Sequence, residues 1–269
     1  MLFRSDAVHT PIPGDVGTIG MILALVLRKP LFVRHCGNWF VQRTLAERGW
    51  KWVMERFAGG RNVMLATGGA DRPPSKRNPN VRWIFSTSLT KQQMGLSSAK
   101  TLPDNRSIRL AIACRQEKRK GTDVAIRSLA LLADRYDISL DVIGGGSLLD
   151  EFKQLALTLG LQNRVRFHGK VSQSRVVEIL GDSHIFCYPT QASEGFPKVV
   201  LEAIANGLPV ITTRVSVLPQ LVEACGLLVD DVSPEAVSTA ILELIDDGKR
   251  YRQMSEARSE EHTSERQSH

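Results

Sequence analysis

The sequence IRLAIAC at residues 108–114, followed by RQEKRKG at residues 115–121, decides the fold class of this chain. The first run is short and almost wholly apolar, which is typical of a strand buried on both faces. An amphipathic helix is expected at residues 122–135, and a second buried strand at 138–143 runs into three consecutive glycines. Strands that alternate with helices of this length indicate an α/β fold with a parallel, doubly wound sheet.

The alternation continues towards the C-terminus. Further strands are expected at residues 165–167, 185–189, 209–213 and, at one edge, 226–229. The helices between and after them are expected at residues 148–159, before 185, and at 234–245. Ligands of such sheets bind beyond the carboxyl ends of the strands. The basic loop and the three glycines both lie at predicted strand ends.

A second informative stretch is EGFPKVVLEA at residues 194–203. Pro197 suits the first position of a helix, and the Asn-Gly pair at 206–207 suits its C-terminal cap. The free N–H groups at such a helix start attract phosphate. Glu194 and Glu202 can accept hydrogen bonds from hydroxyl groups on either side of that phosphate. A diphosphate with a polyol at each end is a nucleotide sugar, which is therefore the predicted ligand.

Composition limits the other classes of function. The 269 residues are 42% hydrophobic and 23% charged, with a net charge of +7. This charge fits a phosphorylated substrate or an anionic membrane surface, and no nucleic-acid-binding motif accompanies it. The four cysteines form no CxxC pair, which favours reduced thiols and a cytoplasmic location. No signal peptide is recognisable at the N-terminus.

The first 95 residues are a less regular α/β segment. Strands are expected at residues 31–33 and 62–66, and His9 is expected in a loop. The apolar run at 19–27 has nine residues, whereas a membrane span needs roughly 20, so it predicts a buried helix. The polar stretch at 95–105 is the predicted linker.

Together these features resemble the retaining glycosyltransferases of family 4, which have the GT-B fold and contain the glycosyl transferases group 1 domain. The resemblance covers roughly residues 108–257. It rests on the order of Arg115, Lys120-Gly121, Gly144-Gly145-Gly146, Phe167-His168-Gly169, Glu194, Glu202 and the sequence ANGLPV at 205–210.

The resemblance implies two Rossmann-like domains, with the nucleotide sugar on the C-terminal one. Arg115 and Lys120 match the pair that neutralises the donor diphosphate, and Glu194 matches the carboxylate near the donor sugar. Glu202 matches the carboxylate that binds the ribose. The remaining donor-binding positions are Gly144, Gly145, Gly195, Phe196, Pro197 and Lys198. His35, at the end of an N-terminal strand, resembles the family's histidine near the reacting carbon.

The implied reaction moves a sugar to an acceptor hydroxyl with retention of anomeric configuration. No cofactor is expected, and no metal is needed if fixed cations stabilise the leaving diphosphate. The sequence also has no Asp-x-Asp motif. The expected partners are a nucleotide sugar, a glycan or lipid-linked acceptor and, peripherally, the inner face of an anionic membrane. Nucleic acid is not expected as a partner.

Several alternatives stay open. The two glutamates are also compatible with an ordinary surface, with Glu202 paired to Lys198, and the basic run with a solvated loop. The glycines can serve only as a tight turn, and Leu149 stands where a dinucleotide motif needs glycine. The chain can also be a nucleotide-sugar-binding fragment without transferase activity, or a GT-B nucleotide-sugar epimerase.

The predicted domains are residues 1–100, 101–257 and 258–269. The first is shorter than the family's acceptor-side domain, so the chain is expected to be a fragment with a truncated N-terminal domain. The last resembles a translated sequencing-adapter oligonucleotide and has no apolar face, so it is expected to be disordered.

Overall fold

A computed structural model of the chain describes residues 6–42, 44–67, 73–84, 99–103, 107–192 and 196–257. The chain divides into two compact units. The N-terminal unit contains the strands up to residue 84, and the C-terminal unit contains the strands from residue 108 onwards. Glu194, Gly195 and the predicted tail at 258–269 lie outside the described residues.

The N-terminal unit is a parallel sheet of four strands in the order β1-β2-β3-β4. The strands are β1 (Val8–Ile12), β2 (Leu31–His35), β3 (Val63–Thr67) and β4 (Val81–Ile84), with helices α1 (Asp15–Val26) and α2 (Leu45–Phe57). Met21, Met54 and Met64 are fully buried in its core. Thr44 and Glu47 form a reciprocal capping box at the start of α2, which satisfies two N–H groups there.

Two expectations for this unit were wrong, and three of its elements were not predicted. Helix α1 is not a buried helix, because only Gly17, Met21 and Ala24 in it are buried and several of its apolar side chains are exposed. His9 lies in β1, where its ring contacts that of Phe32 edge-on, rather than in a loop. Helix α2 and strands β1 and β4 were not predicted. Among the described residues, no helix is both long enough and apolar enough to cross a membrane.

The C-terminal unit contains a six-stranded sheet in the order β10-β9-β8-β5-β6-β7, and all its paired strands are parallel. The strands are β5 (Ile108–Ala113), β6 (Ile138–Ile143), β7 (Val165–Gly169), β8 (Ile185–Tyr188), β9 (Val210–Thr213) and β10 (Gly226–Val229). The helices are α3 (Thr122–Leu132), α4 (Leu149–Thr158), α5 (Gln173–Asp182), α6 (Lys198–Ala205), α7 (Leu218–Leu221), α8 (Pro234–Asp246) and α9 (Gly248–Glu256).

This unit matches the sequence prediction closely. Strands β5 and β6 are buried along most of their length, and β10 is the predicted edge strand. Pro197 precedes α6 as its cap instead of being its first residue, and helix α7 was not predicted. The last helix begins at Gly248, two residues earlier than expected.

Two polar networks hold the unit together. The buried Asp141 carboxylate in β6 contacts His168 Nε2 at 2.7 Å and Arg109 at 3.3 Å, which gives His168 a structural partner.

The second network is centred on Lys100, before β5, whose backbone N–H donates to Ser255 Oγ at 2.7 Å. Its ammonium group donates to three carbonyls at the C-terminal end of α5. The beginning and the end of this unit are therefore fastened together.

Candidate functional site

The candidate site lies at the carboxyl ends of β8, β5 and β6, which are adjacent in the C-terminal sheet. Three segments follow these ends: the basic loop at 115–121, the glycine loop at 144–146, and residues 189–192. Parallel strands bring the loops at their carboxyl ends to one edge, so the fold gathers segments that are far apart in sequence.

The buried side chain of Gln116 joins the basic loop to the glycine loop. It is 0% exposed, and its Nε2 donates to Cys114 O and Ile143 O, each at 3.0 Å. Its Oε1 accepts from Thr122 Oγ1 at 2.7 Å, at the start of α3. Because each of these polar atoms has a buried partner, loss of any one would leave an unsatisfied group.

The backbone of the same residue continues this connection. The N–H of Gln116 donates to Gly145 O at 3.0 Å, and its carbonyl accepts from Leu148 N–H at 2.9 Å. The two loops therefore form one hydrogen-bonded platform.

Two of the glycines are required by close backbone approaches. Gly144 has a φ of 111°, and a Cβ there would lie 2.0 Å from Cys114 O. A Cβ at Gly146 would lie 2.3 Å from Gln116 O. Gly145 has no such constraint, since its nearest neighbour would be Lys170 Cβ at 3.8 Å. Gly144 and Gly146 thus let the loops meet, whereas nothing crowds Gly145.

Arg119 fastens the basic loop to the segment that follows β8. It adopts a left-handed φ of 67°. Its carbonyl accepts from the N–H groups of Gln191 and Ala192 at 2.8 and 3.1 Å, and from Thr190 Oγ1 at 3.2 Å. Its guanidinium donates to Gln191 O at 3.1 Å. Arg119 is exposed, and these hydrogen bonds to residues 190–192 were not predicted from the sequence.

The two predicted phosphate ligands of this loop differ in exposure. The side chain of Arg115 is 77% exposed and lies 3.3 Å from the Glu117 carboxylate. Lys120 is half-buried, whereas Lys118 is exposed. The loop therefore presents cationic groups beside the glycine loop, an arrangement that suits a phosphorylated ligand.

Helix α6 supplies the remaining predicted positions. Phe196 is half-buried and Pro197 is buried ahead of the helix, and Lys198 begins it as an exposed residue. Glu202, one turn further on, is only 4% exposed. Asn206 ends α6 as predicted, and its Nδ2 donates to Glu202 O at 2.8 Å. The burial of Glu202 contradicts the alternative in which it is a solvated surface carboxylate.

His35 belongs to the N-terminal unit and ends β2. It is 2% exposed, and its ring meets that of Trp39 edge-on at 5.3 Å. Burial lowers the pKa of His35 below its usual 6.5, which favours the neutral imidazole. Its Nδ1 is buried and makes no side-chain hydrogen bond within the described part of the chain.

In the described ranges, no group of three or more histidine, cysteine, aspartate or glutamate side chains is placed to hold a metal ion. All four cysteines are free thiols.

Comparison with known proteins gives a consistent result. The family model described as glycosyl transferases group 1 matches residues 96–261. The D-inositol 3-phosphate glycosyltransferase of Corynebacterium glutamicum is 35% identical over 156 residues, which are 55% of this chain and 37% of that protein. A GDP-mannose-dependent alpha-(1-6)-phosphatidylinositol monomannoside mannosyltransferase of Mycolicibacterium smegmatis is 31% identical over 141 residues, or 49% and 37% of the two chains. The chain thus spans little more than a third of the length of these relatives.

Solved structures share the fold. Anabaena HepE, in complex with UDP and glucose, superposes with a TM-score of 0.69 over 94% of this chain and 72% of its own, at 16% identity. The C-terminal domain of the glycosyl transferase group 1 protein LpcC of Francisella tularensis gives a TM-score of 0.51 at 24% identity. That match covers 59% of this chain and 91% of the LpcC domain. These likenesses confirm the predicted α/β fold of the GT-B type.

Proposed function

This chain belongs to the glycosyl transferases group 1 family, and from that premise we propose that its C-terminal unit binds the nucleoside-diphosphate sugar of a retaining glycosyltransferase of family 4. The observation that carries the proposal is the platform of the basic loop and the glycine loop, which the side chain of Gln116 joins by hydrogen bonds. The donor diphosphate would lie against Arg115 and Lys120. Glu202 would accept hydrogen bonds from the ribose, and Glu194 from the donor sugar.

The proposed chemistry follows from charge. Breaking a glycosyl–phosphate bond leaves negative charge on the diphosphate and positive charge on the sugar carbon. The cations of the loop, with the N-terminal end of α6, would stabilise the leaving group as its charge develops. We therefore propose metal-independent transfer to an acceptor hydroxyl of a glycan or lipid-linked molecule. Activity that persists in excess EDTA would support metal independence, and activity abolished by EDTA and restored by a divalent ion would reject it.

Calorimetric titration with UDP and GDP tests the donor site. UDP is chosen because HepE was solved with it, and GDP because of the mannosyltransferase relative. We expect micromolar binding of one nucleotide, weakened about tenfold or more by Lys120→Gln, since a charge-assisted hydrogen bond is lost. Lys118→Gln is the matched control, because it removes the same charge from the exposed part of the same loop. Equal affinities of the two variants would reject the assignment of Lys120.

Glu202→Gln tests the ribose contact while preserving the shape of a buried side chain. An amide can still accept a hydrogen bond but cannot offer a charged acceptor, so nucleotide affinity should fall. A 2′,3′-dideoxynucleotide lacks both ribose hydroxyls, so it should bind the parent chain and Glu202→Gln equally weakly. If Glu202→Gln binds the normal nucleotide as tightly as the parent chain, the ribose assignment is wrong.

Binding and transfer need separate measurements, because a binding-only fragment and an epimerase would bind the same nucleotide sugar as a transferase. The three differ only in the product that they release. The chain is incubated with the matching nucleotide sugar and acceptors, and the products are examined by NMR. A glycoside with the donor's anomeric configuration supports retaining transfer. Binding without transfer or hydrolysis supports the binding-only alternative, and an inverted ring carbon in the released sugar supports epimerisation.

Peripheral membrane contact is proposed from the net charge of +7. Co-sedimentation with vesicles that contain or lack anionic lipid tests it. Binding that requires anionic lipid and weakens with salt is expected. Binding that is equal to both vesicle types would reject this electrostatic contact.

A further inference from the structure

A cavity of about 450 Å³ lies within the N-terminal unit, between α2 and the segment that precedes β4. A volume of this size is typical of sites for small molecules. Its walls are formed by Gln42, Arg48, Lys51, Trp52, Glu55, Pro74, Ser75, Lys76 and Arg77. None of these residues was assigned a role by the sequence interpretation or by the family resemblance.

Hydrogen bonds hold the wall at residues 74–78 against α2 and against Trp39, which precedes that helix. Trp39 Nε1 donates to Pro74 O at 2.9 Å. Asn78 Nδ2 donates to the carbonyls of Glu55 and Ala58 at 2.9 and 3.0 Å, which satisfies two acceptors at the end of α2. Ser75 Oγ is buried and donates to Glu55 Oε1 at 2.9 Å. The cavity is therefore shaped by fixed backbone and needs no ligand to form.

The charges on its walls are unbalanced. Four cationic residues and a single carboxylate, that of Glu55, line the cavity. Three of the cations are exposed, whereas Lys51 Nζ donates to Trp39 O at 3.3 Å. The Glu55 carboxylate is already engaged by Ser75 and lies 3.7 Å from the Arg77 guanidinium. None of the ion pairs between described residues includes Arg48 or Lys76. Like charges gathered in one cleft repel each other and raise the local concentration of anions.

An aromatic side chain completes the cavity. Trp52 is 56% exposed, although indole rings are usually largely buried. Its ring offers an apolar surface next to the cationic groups, which suits the C–H face of a small polyol. Arg48 and Arg77 can each donate two hydrogen bonds in a fork to oxygens of one group, as phosphate requires.

We infer that this cavity is a binding site for a phosphate monoester carried on a small polyol. The dianionic phosphate would contact Arg48, Lys76 and Arg77, and the polyol would contact Trp52. The inference is independent of the proposed sugar transfer. The monoester can come from a free metabolite or from a lipid headgroup, and the two sources share this chemistry.

Fluorescence titration of the full chain with glycerol 3-phosphate, at constant ionic strength, tests the site. All four tryptophans lie between residues 39 and 83, so their emission reports on the N-terminal unit. We expect a saturable change in emission and a dissociation constant about tenfold or more higher in Arg48→Gln/Lys76→Gln. The matched control is Arg61→Gln/Arg82→Gln, which removes two exposed cations of the same unit from outside the cavity. Circular dichroism checks that both variants are folded.

A second arm uses phosphatidylcholine vesicles that contain either phosphatidic acid, a phosphate monoester, or phosphatidylglycerol, a diester. If the cavity variant loses binding of free glycerol 3-phosphate and the control variant keeps it, the ligand is a free metabolite. If the cavity variant loses a preference for phosphatidic acid and the control variant keeps it, the ligand is a lipid headgroup. If neither probe distinguishes the cavity variant from the control variant, the affinities reflect overall charge and the inference is overturned.

Discussion

Replacement of Gly146 by alanine should break the platform beneath the proposed donor site. A Cβ at this position would lie 2.3 Å from Gln116 O and 2.6 Å from Gln116 N, whereas ordinary contact begins near 3.4 Å. Both neighbours are backbone atoms, so no side chain can turn away. The loop at Gln116 would have to move by about 1 Å, which is the difference between the built and the ordinary contact.

The cost of this movement can be worked from the contacts that it breaks. It opens the hydrogen bonds from Leu148 N–H to Gln116 O and from Gln116 N–H to Gly145 O, at 2.9 and 3.0 Å. Each is worth about 1 kcal/mol, and overpacking adds about 1–3 kcal/mol. The free energy of unfolding should therefore fall by about 3–5 kcal/mol, a large part of the roughly 5–15 kcal/mol of a typical domain.

The assay is urea unfolding of the parent chain, Gly146→Ala and Gly145→Ala. Far-UV circular dichroism reports on both units, and tryptophan emission reports on the N-terminal unit alone. Gly145→Ala is the control, because its nearest new contact would be 3.8 Å away, and its stability should stay within about 1 kcal/mol of the parent. Nucleotide affinity should also fall in Gly146→Ala.

Equal unfolding midpoints for the two alanine variants would refute this reasoning. They would mean that the loops separate at little cost, and that the hydrogen bonds of Gln116 do not hold them together. A large loss of stability in Gly145→Ala would refute it as well.

Three further predictions concern titration, helix capping and thiol chemistry. Burial, with smaller effects from Lys100 and Arg109, lowers the pKa of His184 from 6.5 to about 4. The unfolded chain then binds more protons between these values, so His184 should lower the free energy of unfolding by about 1–2 kcal/mol from pH 6.5 to 4, allowing for partial exposure. His184→Asn should remove this contribution and leave that of buried His35. An unchanged pH dependence would disprove the assignment. Lys100→Met removes the cation that caps α5, so the free energy of unfolding from a thermal melt should fall by about 2 kcal/mol. An unchanged melting midpoint would contradict the capping role. Burial raises the pKa of the Cys187 thiol to about 12. Ellman's reagent should therefore modify exposed Cys36 readily and Cys187 only after unfolding. Rapid modification of Cys187 in a Cys36→Ser variant would contradict this prediction.

Local pattern was sufficient for much of the C-terminal unit. The apolar runs that form β5 and β6 are buried along most of their length, so composition alone revealed them. The end of α6 at Asn206 also follows from a local rule of helix capping. These features depend on residues that are neighbours in sequence.

The features that were missed depend on distant partners. Gln116 stands in a polar, basic loop, and nothing in that loop indicates that its side chain reaches Ile143 O on another strand. The carbonyl of Arg119 likewise finds its donors 71–73 residues further along, at residues 190–192. The burial of helix α1 was overestimated, because an apolar run alone does not indicate which of its side chains pack against the sheet.

The N-terminal unit was predicted least well. Strand β4 has four residues, one of them an arginine, which is too short a run for a reliable pattern. Helix α2 carries charged residues along much of its length, and only Met54 in it is buried. The same charged surface lines the cavity proposed here for a phosphate monoester.

The bond between Lys100 and Ser255 also has a consequence for engineering. Residues 155 positions apart are in direct contact, and Ser255 Oγ in turn donates to Gly207 O at 2.7 Å. Residue 100, near the first described residue of this unit, therefore lies beside its last helix, and such proximity of the two ends is what circular permutation requires. A short linker between residues 257 and 99 would close this unit into a ring. New termini could then be opened in a loop remote from the glycines. The result would be a circularly permuted domain with the same packing and a different order of its elements along the chain.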